Sequence, residues 1–247
     1  MKTVRKISII LLCAALICAA VGTFFYFAVT AGAVLDDAKL ERTDACIEVY
    51  DSADNKIADL SFKSANKSIH LNELPAHVPN AFIAAEDKNF YSHHGLDYKG
   101  MIRALLKNIK AGAFRQGAST ISQQLVKNTQ LSSEKTLTRK LKEIRLTRQL
   151  EKRYTKTEIL EMYLNTIYFG HACYGIAGAA DFYFSKPASS LSAAEAATLA
   201  AIIKSPNNYS PFLNPEKCLT ARNSVLKRMQ ILGYITESES EQAKTEP

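Results

Sequence analysis

An uncharged run of 29 residues near the N-terminus constrains this chain more than any other feature. Residues 7–35 contain no Asp, Glu, Lys or Arg. A helix needs about 20 such residues to cross a bilayer. Basic residues precede the run and two aspartates follow it, so the positive-inside rule keeps the N-terminus in the cytoplasm. We therefore expect an uncleaved anchor in the cytoplasmic membrane, with the remainder of the chain on the extracytoplasmic side.

A cleaved signal peptide is the alternative interpretation of this run. Its apolar part would normally measure about 7–15 residues and end in a small-residue cleavage site. Residues 31–33, Ala-Gly-Ala, are similar to such a site. The length of the run favours the anchor.

Positive charge is concentrated in one segment. Residues 88–153 contain 15 Lys and Arg against 4 Asp and Glu, a net charge of +11; because the whole chain is +7, the rest is −4. Such a block predicts a polyanionic partner, which is either substrate phosphates, anionic lipid headgroups or nucleic acid. An extracytoplasmic location argues against nucleic acid.

The pattern of the remaining chain predicts a mainly α fold. Residues 46–50 and 56–62 alternate around a turn, which indicates a short β-hairpin. From residue 79 onward the apolar spacing and capping motifs are helical, with Gly170 expected to end one helix and Gly233 another. The expected divisions are an anchor at 1–35, a linker and hairpin at 36–73, a catalytic domain at 74–236 and a tail without regular structure at 237–247.

One predicted helix, residues 96–109, has two possible environments. Its apolar residues recur at helical spacing, and three basic residues within it and Lys110 directly after it decorate it. A basic, apolar helix can lie in a membrane interface. It can equally pack on a core with its charged face outward. The sequence does not decide between them.

Glu86 is the first catalytic candidate. It follows an Ala-rich stretch and lies close to Phe90 and Tyr91, surroundings that would partly desolvate a carboxylate and favour a proton-accepting role. The neighbouring Asp87 is expected to orient the turn, and a histidine in this loop to anchor it by a hydrogen bond.

Glu143 is the second carboxylate. On a helix it shares a face with Arg139 and Lys140, four and three residues earlier. One interpretation is a surface ion pair worth a few tenths of a kcal/mol. The other is an acid kept ionised within a cationic site, where two carboxylates would indicate acid/base chemistry on sugars.

Five sequence blocks occur in order along the chain. They are EDxxFxxHxG from Glu86, GASTIxQQLxKN from Gly117, RKxxE from Arg139, ILExYLNxxYxG from Ile159 and RNxVLxxM from Arg222. Together they resemble family 51 of the peptidoglycan glycosyltransferases, the transglycosylase domain of class A penicillin-binding proteins and their monofunctional relatives. The match fits if His93 is the family histidine. It departs at Asn223, where the family often has a second Arg.

The resemblance implies a lysozyme-like, bilobed glycosyltransferase domain that polymerises lipid II on a growing glycan chain. Glu86 would be the general base, and Glu143 would organise the pyrophosphate site, with or without a divalent cation such as Mg²⁺ or Mn²⁺; the sequence itself requires no cofactor. The other implied substrate-binding residues are Ser119, Gln123, Gln124, Lys127, Lys135, Arg139 and Lys140. The implied partners are lipid II, the nascent glycan, lipids of the cytoplasmic membrane and other cell-wall synthesis proteins.

Two questions stay open at this point: whether the chain is a standalone enzyme, and whether one of two rival functions applies. The sequence contains no Lys-Thr-Gly, and its Ser-x-x-Lys spacings are of a kind that recurs by chance, so we expect no transpeptidase domain in this chain. It could be a standalone enzyme or a truncated bifunctional one. A lysozyme-type hydrolase and a non-catalytic scaffold that binds cell-wall polymer are the rival functions.

Overall fold

The computed structural model of the protein describes residues 2–40, 46–50, 56–61, 68–112, 117 and 119–246. The helices in these ranges are α1 (Lys2–Thr30), α2 (His77–Glu86), α3 (Tyr98–Ala111), α4 (Ile121–Gln130), α5 (Leu137–Arg153), α6 (Lys156–Thr166), α7 (Ile176–Phe184), α8 (Ala193–Ile202), α9 (Pro215–Ile231) and α10 (Glu237–Thr245). The strands are β1 (Cys46–Tyr50), β2 (Lys56–Ser61), β3 (Tyr168–Gly170) and β4 (Cys173–Tyr174). The prediction of a mainly α fold is confirmed.

Two short antiparallel hairpins accompany the helices. The predicted one pairs β1 with β2, with Ile47 opposite Leu60; its turn, residues 51–55, lies outside the described residues. The second pairs β3 with β4 and was not predicted. The expectation that Gly170 ends α6 is wrong, because the backbone already becomes extended at Ile167 and Gly170 belongs to β3.

Helix α1 is long and apolar enough, over Leu12–Thr30, to cross a membrane by length and composition. The short charged linker expected after it begins with a 3₁₀ turn, Asp37–Lys39, and the next residue, Leu40, is buried in the core. Residues 41–45 lie outside the described part of the chain.

The core is centred on α8, which packs against α2 and α9. Half of the residues of α8 are buried alanines, and their small side chains allow the neighbouring helices to approach closely. On α2, Phe82 is fully buried and its ring meets that of Phe169 edge-on at 6.0 Å. This packing fixes α2, and therefore fixes the position of Glu86 at its C-terminal end.

The C-terminal tail is helical, so the expectation of an unstructured tail is wrong. Thr236 and Glu239 form a capping box that begins α10, a signal that the polar composition of the segment obscures. The buried Arg222 donates hydrogen bonds to the carbonyl oxygens of Lys244 (3.0 Å) and Glu246 (2.9 Å) at the end of α10. The arginine of the last sequence block thus holds the final helix in place.

Gly95 combines a positive φ of 84° with close packing against α5. A Cβ atom there would lie 2.8 Å from Cγ2 of Thr147 and 3.0 Å from Cγ of Glu151. Gly233 also has a positive φ, 73°, but a Cβ there would meet nothing within 4 Å. The two positions therefore separate backbone strain from steric crowding.

We expect Gly95→Ala to destabilise the domain by about 2–4 kcal/mol, because left-handed strain and overpacking add. Gly233→Ala carries the strain alone and should cost about 1–2 kcal/mol. Denaturant unfolding of the detergent-solubilised variants measures both values. Equal costs at the two positions would contradict the crowding at Gly95.

Candidate active site

Glu86 borders three neighbouring cavities, the largest with a volume of about 920 Å³. Glu86 is the only carboxylate among the described residues that line the largest cavity. The cationic side chains in its wall come from four different parts of the chain: Lys107, Lys110, Lys127, Lys204 and Arg228. The cavity therefore presents one acid to a strongly positive surface.

A chain of two hydrogen bonds holds the Glu86 carboxylate. The hydroxyl of Tyr163 donates to Oε1 of Gln124 (3.3 Å), and Nε2 of Gln124 donates to Oε2 of Glu86 (2.5 Å). Tyr163 is fully buried, and burial raises its pKa well above the usual value, with Glu86 and Asp87 raising it further. The phenol thus remains a donor, which fixes the orientation of the Gln124 amide.

Asp87 connects α2 to α4. Its carboxylate is buried and accepts hydrogen bonds from Nε2 of His93 and from the backbone N–H of Ile121, each at 3.0 Å. Ile121 is the first residue of α4, where a negative charge is favoured by the helix dipole. The expectations that Asp87 orients the turn and that a loop histidine anchors it are confirmed; His93 is buried and His94 is exposed.

Glu143 lies beneath this surface with 2% of its area exposed. Oε2 accepts from Arg139 (3.3 Å), and Oε1 accepts from Lys140 and from Nε2 of Gln123 (3.2 Å). The interpretation of Glu143 as a surface ion pair is therefore wrong. The surroundings of Glu143 do not fit a divalent cation. Arg139 and Lys140 already bind its two oxygens, so this one carboxylate would have to hold a third positive ion.

The structure brings most of the predicted site residues together. Ser119, Gln124 and Lys127 line the same cavity as Glu86. The Glu143 group reaches this wall through Nζ of Lys140, which lies 3.4 Å from Oγ of Ser119. Lys135, in contrast, is exposed in the segment between α4 and α5 and is not among the described residues that line the cavity.

Two wall residues, Arg228 and Lys204, were missed by the sequence analysis. Arg228 lines all three cavities with Glu86, and its guanidinium donates to the carbonyl oxygen of Ala85 at 2.9 Å. It follows Ser224 and Val225, which line the same wall, by four and three residues, so the three residues share one face of α9. Which face of α9 turns towards the cavity could not be known from spacing alone.

A family profile described as Transglycosylase matches residues 53–230, well over half of the chain. The chain belongs to the transglycosylase family. Penicillin-binding protein 1F of Bacillus subtilis is 44% identical over 207 residues, which are 84% of this chain and 29% of that protein. Penicillin-binding protein 1A of Escherichia coli is 40% identical over 214 residues, 87% of this chain and 25% of that protein.

The chain thus spans about a quarter to a third of the length of the curated relatives that it matches. Among solved structures, the chain matches the 2.6 Å crystal structure of penicillin-binding protein 1A from Haemophilus influenzae. The match covers 82% of this chain and 20% of the chain in the crystal. Its sequence identity is 22% and its TM-score is 0.46, which is too weak a likeness to support an argument about the site.

The fourth sequence block mainly holds a backbone segment, residues 69–71, in place. Glu161 accepts a hydrogen bond from the N–H of Leu71 at 2.7 Å. The amide of Asn165 binds both the N–H (3.1 Å) and the carbonyl oxygen (3.0 Å) of Ile69. From this block, Tyr163 alone of the three side chains binds a residue of the cavity wall.

We expect Tyr163→Phe to lower the free energy of unfolding by about 1 kcal/mol, because the part-buried Oε1 of Gln124 loses its donor. In a Gln124→Met background the same change should cost clearly less, since no acceptor remains. Chemical denaturation of the four proteins in this cycle measures the coupling. An equal cost in both backgrounds would contradict the hydrogen-bond chain.

Proposed function

We propose that this transglycosylase is a peptidoglycan glycosyltransferase that polymerises lipid II into β-1,4 glycan strands. The observation that carries the proposal is the pairing of one available carboxylate, Glu86, with a cavity wall rich in cations. The base accepts a proton from a hydroxyl, and the cations stabilise a departing pyrophosphate. Family membership supports the same activity class.

In the proposed reaction, Glu86 removes the proton from the 4-hydroxyl of the acceptor N-acetylglucosamine. The oxygen attacks the anomeric carbon of the donor chain, and the bond from that carbon to the pyrophosphate oxygen breaks. The configuration inverts, and undecaprenyl pyrophosphate leaves with the electron pair. Gln124 holds the base in place, while Lys127 in the cavity wall and Lys140 beside Ser119 bind phosphate oxygens.

The two rival functions have less support. A hydrolase of the lysozyme type uses two carboxylates that flank the scissile bond, but both oxygens of Glu143 are occupied by Arg139 and Lys140. A scaffold that only binds polymer would not need the base that Tyr163 and Gln124 hold in place. Family membership separately favours an enzyme over a scaffold.

Helix α3 supports an active site placed directly against the membrane. Its apolar side chains are exposed, including Ile102 (61%) and Leu105 (58%), while Lys107 and Lys110 line the cavity. Of the two environments left open for this helix, packing of its apolar face on a core is contradicted by its burial, since Ala104 is the one buried residue of α3. We infer that the apolar face dips into the outer lipid surface and that α1 anchors the chain with its N-terminus in the cytoplasm.

Arg148 on α5 connects the start of α3 with the end of α1, and this supports the placement. Arg148 on α5 donates a hydrogen bond to the hydroxyl of Tyr98, at the start of α3, at 2.9 Å. That bond raises the pKa of the Arg148 guanidinium, and Tyr26 near the end of α1 raises it further. The beginning of α3 therefore lies at the level where α1 would leave the bilayer, and tyrosines are enriched at such interfaces.

We expect Glu86→Gln to abolish polymer synthesis from labelled lipid II while leaving lipid II binding largely intact, because the amide keeps the shape but cannot accept the proton. The same isosteric change at the exposed Glu237 on α10 is the matched control and should leave synthesis unchanged. Lysozyme digestion identifies the product as glycan. Polymer from Glu86→Gln would refute the assigned base, and release of disaccharides from preformed glycan would favour the hydrolase.

We expect the double substitution Ile102→Ser and Leu105→Ser to reduce polymerisation in lipid vesicles at least several-fold while shifting the thermal unfolding midpoint little, because the removed surface is exposed. Leu219→Ser, on α9 and also exposed, is the control for the loss of an apolar surface side chain. Equal losses of stability and activity would identify α3 as ordinary core.

A further inference from the structure

The segment that follows α1 is held against the catalytic domain. Ala33, Leu35 and Leu40 are buried, although only the short 3₁₀ turn lies within residues 31–40. A flexible linker of this length would have a root-mean-square span of roughly 17 Å. That span is more than twice the thickness of one headgroup layer, about 5–7 Å. Whether the segment is free or fixed therefore decides whether the cavity keeps a constant height above the lipid.

Two glutamine side chains each form two hydrogen bonds with the backbone of this segment. One bond goes to a carbonyl oxygen and the other comes from an N–H group. Nε2 of Gln149 donates to the carbonyl oxygen of Ala33 (2.9 Å), and its Oε1 accepts from the N–H of Leu35 (3.1 Å). Nε2 of Gln130 donates to the carbonyl oxygen of Asp36 (2.9 Å), and its Oε1 accepts from the N–H of the same residue (3.0 Å). A primary amide offers a donor and an acceptor side by side, so each glutamine acts like a neighbouring strand.

Other contacts of the segment are weaker or lie at its ends. Arg153 binds the carboxylate of Asp37 at 3.1 and 3.0 Å, but both side chains are about half exposed, and such pairs contribute little. Arg145 donates to the hydroxyl of Thr30 at 3.3 Å, at the last residue of α1. The two glutamines thus supply the paired, directional hydrogen bonds.

The helices that carry these glutamines also carry the cavity wall. Gln130 ends α4, the helix of Gln124 and Lys127. Gln149 lies on α5 six residues after Glu143, a separation of about 9 Å along the axis. A force on α1 would therefore act directly on α4 and α5, the two helices that carry residues of the site.

We propose that Gln130 and Gln149 are positioning residues that hold the cavity at one height and tilt relative to the bilayer crossed by α1. The proposal rests on the proposed function in one respect, since a fixed height matters most for a substrate that is itself embedded in the membrane. The glutamines need not contact the substrate or the reacting atoms.

The test uses the full chain reconstituted in vesicles of phosphatidylethanolamine and phosphatidylglycerol. The sequence contains no tryptophan, so Leu106→Trp on the exposed face of α3 introduces a single depth probe. Lipids brominated at defined acyl positions quench it according to its depth. We compare three proteins that all carry this probe. They are the otherwise unchanged chain, the double variant Gln130→Ala/Gln149→Ala, and Gln230→Ala on α9, which loses a glutamine that does not bind the segment.

We expect the double variant to broaden the depth profile and to lose at least five-fold in polymerisation in vesicles, while activity in detergent micelles changes less than two-fold. The Gln230→Ala control should match the parent protein in all three readouts. An unchanged depth profile would overturn the proposal, and so would a parallel loss of thermal stability and of activity in both media, which is the mark of a merely structural role. If the parent makes no polymer, the proposed function fails, but the depth profile still decides the positioning role.

Discussion

The hydrogen bonds of Asp87 join the two helices whose side chains meet at Glu86. One carboxylate accepts from His93 in the loop after α2 and from the first N–H of α4. Because Asp87 is buried, neither bond competes with water, and removing either partner would leave a buried carboxylate with one hydrogen bond lost. The relative positions of Glu86 on α2 and Gln124 on α4, and hence the geometry of the base, depend on this junction.

The second carboxylate illustrates how two acids of similar appearance in a sequence acquire different tasks. Glu143 has its oxygens bound to Arg139, Lys140 and Gln123, and it holds those side chains at the back of the cavity wall. Glu86 has one oxygen bound to a neutral amide and lies at the cavity surface. The first arrangement organises positive charge, and the second leaves a proton acceptor within reach of a ligand.

Local signals in the sequence were sufficient for most helices and for the grouping of the site. Thr120 and Thr155 are capping residues that begin α4 and α6, and the blocks that contain Glu86, Gln124 and Lys127 converge on one cavity. The features that the sequence left undecided or that were missed depended mainly on tertiary context. The apolar period of α3 is the same for a core helix and a lipid-facing one, and Arg228 could be assigned only once α9 had been placed. Hydrogen bonds from Gln149 to a backbone 116 residues away leave no trace in the local pattern.

Helix α3 has one set of side chains towards the cavity and another exposed on its outer surface. In the proposed reaction, the cavity recognises the polar part of the substrate, while the bilayer surrounds its apolar part. The long hydrocarbon tail of the substrate can remain dissolved in the bilayer, so the protein needs no apolar tunnel to enclose it and can use its contacts on the sugar and phosphate groups. Encounter then becomes a lateral search within the membrane plane, where confinement to a thin layer raises the effective concentration of a scarce substrate well above its bulk average.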